Sequence, residues 1–198
     1  MNTPNKLTLL RILLVPIIML FLLWDGLPHN FLIAGLIFIA AAVTDALDGS
    51  IARKRGLVTN FGKLMDPVAD KLLVCSTLVC FVQLGLCDSW IVVIVLAREF
   101  LVTSVRLVAA GEGKIIAANG WGKAKTISQI VALVAVFVTQ YFLELVQLSA
   151  VPTGAVTGLL SPAFLSIVCG VALWISALLT LVSGALYLWD NRELLNAK

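Results

Sequence analysis

Asp45-Ala46-Leu47-Asp48-Gly49-Ser50-Ile51-Ala52-Arg53, followed eight residues later by Gly62-Lys63-Leu64-Met65-Asp66-Pro67-Val68-Ala69-Asp70, sets four carboxylates into a chain that is otherwise strongly apolar. Ionisable groups at membrane depth are costly and rarely kept without a task. Four acids crowded together repel one another and take up protons unless cations hold them apart. Hard divalent ions are the natural partners of an all-carboxylate site. The stretch therefore reads as the acidic metal site of a membrane enzyme.

The spacing adds geometry. Asp45 and Asp48 are three residues apart and Ala52 is four beyond Asp48, so on a helix they share a face, with Gly49 beside them. Asp66 and Asp70, four apart, share a face in the same way. The two pairs fall near the inner ends of consecutive helices joined by the turn around Arg53 to Gly62, and are expected to face each other across one pocket at the inner membrane boundary. Small residues such as Gly49 and Ala52 let a flat ligand approach the helix backbone. A structural ion-pair network with Arg53, Lys63 and Lys71 is the plain alternative, but four acids at this periodicity exceed what such pairing needs.

The rest of the chain supplies the membrane. Its 198 residues are 61% hydrophobic and 13% charged, with mean hydropathy +1.05. A soluble domain with that composition could not cover its surface with polar groups. Six apolar stretches have the length of a helical crossing, at about 7–24, 31–52, 62–86, 89–110, 122–145 and 163–188. Strand alternation is absent, which argues against an outer-membrane barrel. The expectation is an all-α, polytopic integral membrane protein: six transmembrane helices behind a short N-terminal cytoplasmic segment, in one domain over 1–198.

Basic residues orient it. With the N-terminus inside, the outer segments at about 25–30, 86–89 and 145–161 hold no Lys or Arg, whereas Lys6, Arg11, Arg53, Lys54, Arg55, Lys63, Lys114, Lys123, Lys125, Arg192 and Lys198 fall on or near the inner side. Lys71, Arg98 and Arg106 lie further into the apolar stretches. The first stretch is too long for the apolar region of a signal peptide and lacks a small-residue cleavage pattern, so it reads as a retained helix, begun by Thr3-Pro4. Net charge of +3 without a block of like charge gives no sign of nucleic-acid binding.

Other features read as structure. Cys75, Cys80, Cys87 and Cys169 show no CxxC or His-paired spacing and suit packing. His29, the single histidine, falls in an outer loop. Trp24, Trp90 and Trp189 stand at expected boundaries, as belt residues do. The irregular region of about 147–162, with Pro152, Gly154, Gly158 and Pro162, carries no charge and suits connection along the interface. Gly120-Trp121-Gly122-Lys123 is not a phosphate loop: the first glycine and the closing Ser/Thr of that motif are replaced by Ala117 and Ala124.

Asp-x2-Asp-Gly-x2-Ala-Arg-x8-Gly-x3-Asp-x3-Asp resembles the defining motif of the CDP-alcohol phosphotransferase family, with every position present. The resemblance runs from about residue 3 to 190. Pro4-Asn5-Lys6-Leu7-Thr8-Leu9-Leu10-Arg11, Ala97-Arg98-Glu99-Phe100-Leu101-Val102-Thr103-Ser104-Val105-Arg106 and Gly122-Lys123-Ala124-Lys125-Thr126 look like the branch that uses sn-glycerol 3-phosphate. It implies that Asp45, Asp48, Asp66 and Asp70 hold one or two divalent ions, Mg2+ or Mn2+. Asp45, Asp48 and Asp66 would bridge metal to the diphosphate of a CDP-linked lipid. Gly49, Ala52 and Gly62 would line the cytidine pocket, Arg53 would lie near the diphosphate, and Asp70 would be the general base. It further implies CDP-diacylglycerol as donor, a homodimer, and a bacterial inner (cytoplasmic) membrane protein with its site on the cytoplasmic side.

The residue types suit that chemistry. Displacing CMP from a diphosphate needs neutralised oxygens, which paired metal ions provide, and a carboxylate beside them can take the proton of an attacking alcohol. A phosphorylated acceptor wants basic partners, for which Lys71, Arg98, Arg106 and Lys125 are candidates; Arg98 and Arg106, eight apart, share a helix face. Snorkelling, or pairing with Glu99, is the plain reading of the two arginines. The rivals are a sister enzyme acting on serine, inositol phosphate or phosphatidylglycerol, an Asp-rich prenyltransferase, and an ion transporter. Prenyltransferases spread their acids over two separated helix pairs, and transporters place theirs near the midplane.

Overall fold

The computed structural model describes residues 3–24, 26–55, 60–111, 120–148 and 158–192, and within these the side chains other than those of 3–6, 45–55, 60–64 and 66. Those residues form six α-helices and a short 3-10 turn: α1 (Thr3–Leu23), α2 (Asn30–Arg55), α3 (Asn60–Gln83), α4 (Ser89–Gly111), α5 (Gly120–Gln147), the turn Gly158–Leu160, and α6 (Pro162–Asp190). No strand occurs among the described residues. Each helix overlaps an expected apolar stretch, with ends displaced by a few residues.

The ends are set by local chemistry. Gly85, at φ 71°, closes α3: its N–H reaches the Val82 carbonyl at 3.0 Å and the Leu86 N–H reaches Phe81 at 2.8 Å, the paired bonds of a left-handed helix stop. Three residues on, the Asp88 carboxylate accepts the Trp90 N–H at 3.0 Å and starts α4. Ser161 caps α6 by accepting the Phe164 N–H, and Pro162 follows where a missing N–H costs nothing. Pro67 stands inside α3, between Asp66 and Asp70, so the ladder lacks one N–H within the acidic motif.

The helices pack in a closed order. α1 lies against α2 and α3, α3 against α4, α4 against α6, α6 against α5, and α5 against α2. Neighbours in sequence alternate in direction, so the Asp-bearing end of α2 and α3 shares one end of the bundle with the start of α1 and α5 and the last turns of α4 and α6.

The core occupies the other half. Ile18, Phe38, Phe81, Ile91, Leu133 and Leu173 are fully buried there. Phe137 stands at its centre, its ring 5.6 Å from Phe38 and 5.1 Å from Phe81. At that far end, His29 is exposed as expected, and its backbone N–H donates to Glu144. Outside, large apolar side chains are exposed on all six helices, among them Leu13, Leu36, Leu72, Leu107, Val131 and Ile167. A surface so apolar is made for lipid. α5 and α6 are each long and apolar enough to cross a membrane, and Leu7–Leu23 and Asn30–Thr44 are shorter apolar helices.

Candidate functional site

α2 carries Asp45, Asp48, Gly49, Ala52 and Arg53 in its last three turns, and α3 carries Gly62, Asp66 and Asp70 in its first three. The backbone thus brings both halves of the motif to one end of the bundle, with α1 packed against both helices. The side chains of these residues, Asp70 excepted, lie outside the described set, so the expected facing of the two acid pairs does too.

Asp70 is described. Its Oδ1 accepts a hydrogen bond from Arg11 Nη1 on α1 at 2.7 Å. The two ends of this ion pair differ: the Arg11 side chain is 4% exposed and that of Asp70 is 49% exposed. The cation is held inside the helix packing and presents a carboxylate that remains half open. In the sequence Arg11 counts among the basic residues of the inner side and closes the Pro4–Arg11 stretch, with no partner assigned to it. Its signal was present, since an arginine two turns into an apolar helix needs a partner.

A second polar centre lies where α3, α4, α5 and α6 approach. Lys125 of α5 donates to Glu99 Oε1 of α4, and Arg98 Nη1 reaches the same oxygen at 3.0 Å. Arg98 Nη2 donates to Ser183 of α6 at 3.2 Å. Lys71 of α3 donates to the Thr103 hydroxyl, which itself donates to the Glu99 backbone carbonyl at 2.7 Å. Glu99, Arg98 and Lys125 are 14%, 12% and 7% exposed along their side chains. The structure therefore gathers three of the four candidate acceptor cations, Lys71, Arg98 and Lys125, around one carboxylate. Arg106 stands apart and exposed, its Nε donating to the Tyr187 hydroxyl at 3.3 Å and its guanidinium 5.5 Å from that ring's centre.

At this second centre, Arg98 Nε and Gln129 Nε2 are buried donors with no acceptor among the described residues. Gln129 is 3% exposed and lies one turn beyond Lys125 on the same buried face of α5. A donor left so costs about 1–3 kcal/mol. The sequence reading missed Gln129 and gave Glu99 no part beyond pairing with Arg98 and Arg106; Arg98 pairs with it, and Arg106 lies on Tyr187 instead.

By residue type the motif's four aspartates fit a divalent ion, since carboxylate oxygens are the hard ligands that Mg2+ and Mn2+ prefer. Asp70 is the one of the four whose side chain is described, and it is half exposed.

A bundle that is all-helical among the described residues, with an apolar exterior and most of its charge drawn toward one end, is the frame of a membrane protein. The chain belongs to the CDP-alcohol phosphatidyltransferase family, whose profile matches residues 1–189. It is 40% identical to the CDP-diacylglycerol--glycerol-3-phosphate 3-phosphatidyltransferase of Bacillus subtilis (strain 168), over 98% of this chain and 97% of that protein. A protein of the same name from Rickettsia felis (strain ATCC VR-1525 / URRWXCal2) is 35% identical over 94% of this chain and 93% of its own length. One from Pseudomonas fluorescens is 37% identical over 88% and 86%.

Proposed function

We propose that this chain transfers the phosphatidyl group of CDP-diacylglycerol to sn-glycerol 3-phosphate, giving phosphatidylglycerophosphate and CMP. The relatives that bear this name align over nearly the whole chain. What carries the reading at the level of residues is the Arg11–Asp70 pair, a half-open carboxylate fixed by a buried cation within the acidic motif.

The acceptor hydroxyl attacks the phosphorus that bears the diacylglycerol. A bond forms from that oxygen to phosphorus, the bond to the CMP phosphate oxygen breaks, and Asp70 takes the hydroxyl proton. Arg11 holds the Asp70 carboxylate in place for this. Asp45, Asp48, Asp66 and Asp70 would hold one or two divalent ions, Mg2+ or Mn2+, which when bound neutralise the diphosphate oxygens. Gly49, Ala52 and Gly62 would line the cytidine pocket, and Arg53 would lie near the diphosphate. Lys71, Arg98 and Lys125 take the acceptor's phosphate, with Arg106 on the approach. Holding donor and acceptor in line supplies much of the remaining acceleration.

The six helices all cross the membrane, with the acidic end at the cytoplasmic face of the inner membrane, where a lipid donor and a water-soluble acceptor meet. The distribution of Lys and Arg supports this orientation. Family membership also supports a homodimer.

The test is CMP release by purified protein given CDP-diacylglycerol and Mg2+, with glycerol 3-phosphate, serine, inositol phosphate or phosphatidylglycerol in separate reactions. Release with glycerol 3-phosphate alone is expected. Release with a different acceptor alone would overturn the substrate and keep the family.

A further inference from the structure

Glu99 is the one carboxylate among the described residues that meets the cations of the second centre, and its geometry goes beyond a simple pair. One oxygen, Oε1, accepts from both Lys125 and Arg98. The backbone carbonyl of the same residue holds Thr103, which in turn receives Lys71. Cations from three helices are thereby referred to one residue of α4. With three cations against one carboxylate, two positive charges remain in excess in a half-buried setting. That excess matches a phosphate dianion, and the unpartnered Arg98 Nε is a donor such an anion would satisfy.

The path of Arg98 is shaped from the other side by Gly184 of α6. A Cβ at that position would stand 2.9 Å from Arg98 Cγ, closer than carbon atoms approach. Gly184 is buried, and the adjacent Ser183 receives Arg98 Nη2. Only a residue without a side chain lets the stem of Arg98 lie along α6 while its guanidinium reaches both Glu99 and Ser183.

We infer that Glu99 is a positioning residue for acceptor recognition: it sets Lys71, Arg98 and Lys125 in the array that receives a phosphate dianion, with Gly184 supplying the clearance for Arg98. This rests on the proposed reaction and on the assignment of those three cations to the acceptor. Glu99 does not touch the reacting atoms. Its carboxylate brings mutually repelling cations together in the absence of substrate and trims their charge to that of the ligand.

The experiment measures initial rates of CMP release by full-length protein in lipid nanodiscs, varying glycerol 3-phosphate and CDP-diacylglycerol separately. The variants are Glu99→Gln, Glu99→Asp and Gly184→Ala. Glu99→Gln is expected to raise KM for glycerol 3-phosphate about tenfold or more, with KM for CDP-diacylglycerol changed less than about twofold. Glu99→Asp should recover part of the loss. Gly184→Ala leaves every charge in place and should raise the acceptor KM alone, so it carries the test if Glu99→Gln does not fold. An unchanged acceptor KM in the folded variants, or a parallel rise in both KM values, would overturn the inference. Wild-type protein that releases no CMP with glycerol 3-phosphate would instead overturn the proposed reaction.

Discussion

Arg11 and Asp70 are 59 residues apart in sequence and 2.7 Å apart in space, and they are buried to very different degrees. A surface ion pair holds two mobile side chains in water and contributes little. Here the arginine is enclosed by the packing of α1 against α3, so the pair has one fixed member and one presented member. That is the arrangement expected of a carboxylate whose direction matters more than its contribution to stability.

Replacing Arg11 by Met should therefore reduce turnover more than stability. We expect kcat to fall about 100-fold, at the lower end of what general-base catalysis contributes. The unfolding free energy should change by about 1–3 kcal/mol, the net value of a hydrogen bond to a charged group, since the Asp70 left behind is half exposed. Rates of CMP release and thermal unfolding in the same detergent check both. A full kcat with a large drop in stability would make the pair purely structural.

Asp70→Asn and Asp45→Asn should separate catalysis from binding. The first keeps shape but cannot accept a proton, so CDP-lipid binding should persist while turnover is lost. The second removes a charge assigned to both metal and diphosphate, and should weaken metal and nucleotide binding together. Calorimetric titration with a CDP-lipid at several Mg2+ concentrations distinguishes them. Equal loss of nucleotide binding in the two would refute this division of roles.

Chelation should abolish CMP release, and Mg2+ or Mn2+ should restore it. The loss should be steeper in Asp66→Asn than in wild type, because a site short of one carboxylate binds the ion more weakly. Titrating free Mg2+ against initial rate in both proteins gives the comparison; superimposable curves would remove Asp66 from the metal site.

How much of this could be read from the chain depends on separation and on direction. Helices such as Ser89–Gly111 follow directly from apolar length, and the acid spacing from 45 to 70 is local, so both were visible. Arg98 next to Glu99 was visible as well. That Lys125 closes on Glu99 from 26 residues away was not, nor that Arg11 meets Asp70. Helices apolar on nearly every face do not announce which side turns inward. For the same reason the close approach of α2 to α5 at Gly35, or of α4 to α6 at Gly184, is knowable only after the helices are placed.

Gly35 provides a stability test far from the acids. A Cβ there would lie 3.2 Å from both Cβ and Cγ of Phe137, the aromatic ring at the centre of the core. Gly35→Val should force α2 and α5 apart and cost about 1–3 kcal/mol, as overpacking does. Thermal unfolding should shift downward while KM for either substrate stays near wild type. A shift in acceptor KM would mean that the two halves of the bundle are coupled.

Cys87 offers a chemical test of orientation. It lies between α3 and α4 at the end opposite the acids, half-buried, and burial, reinforced by the Asp88 carboxylate, pushes its thiol up to about 11. Because the thiolate is the reactive form, modification should be slow near neutral pH and rise about tenfold per pH unit up to that value. The other three cysteines lie within helices. A charged, membrane-impermeant methanethiosulfonate at pH 9 should then modify Cys87 in right-side-out vesicles, and not in inverted ones. With Cys87→Ser as the control, modification confined to inverted vesicles would place the acidic end on the outer face and reverse the proposed topology.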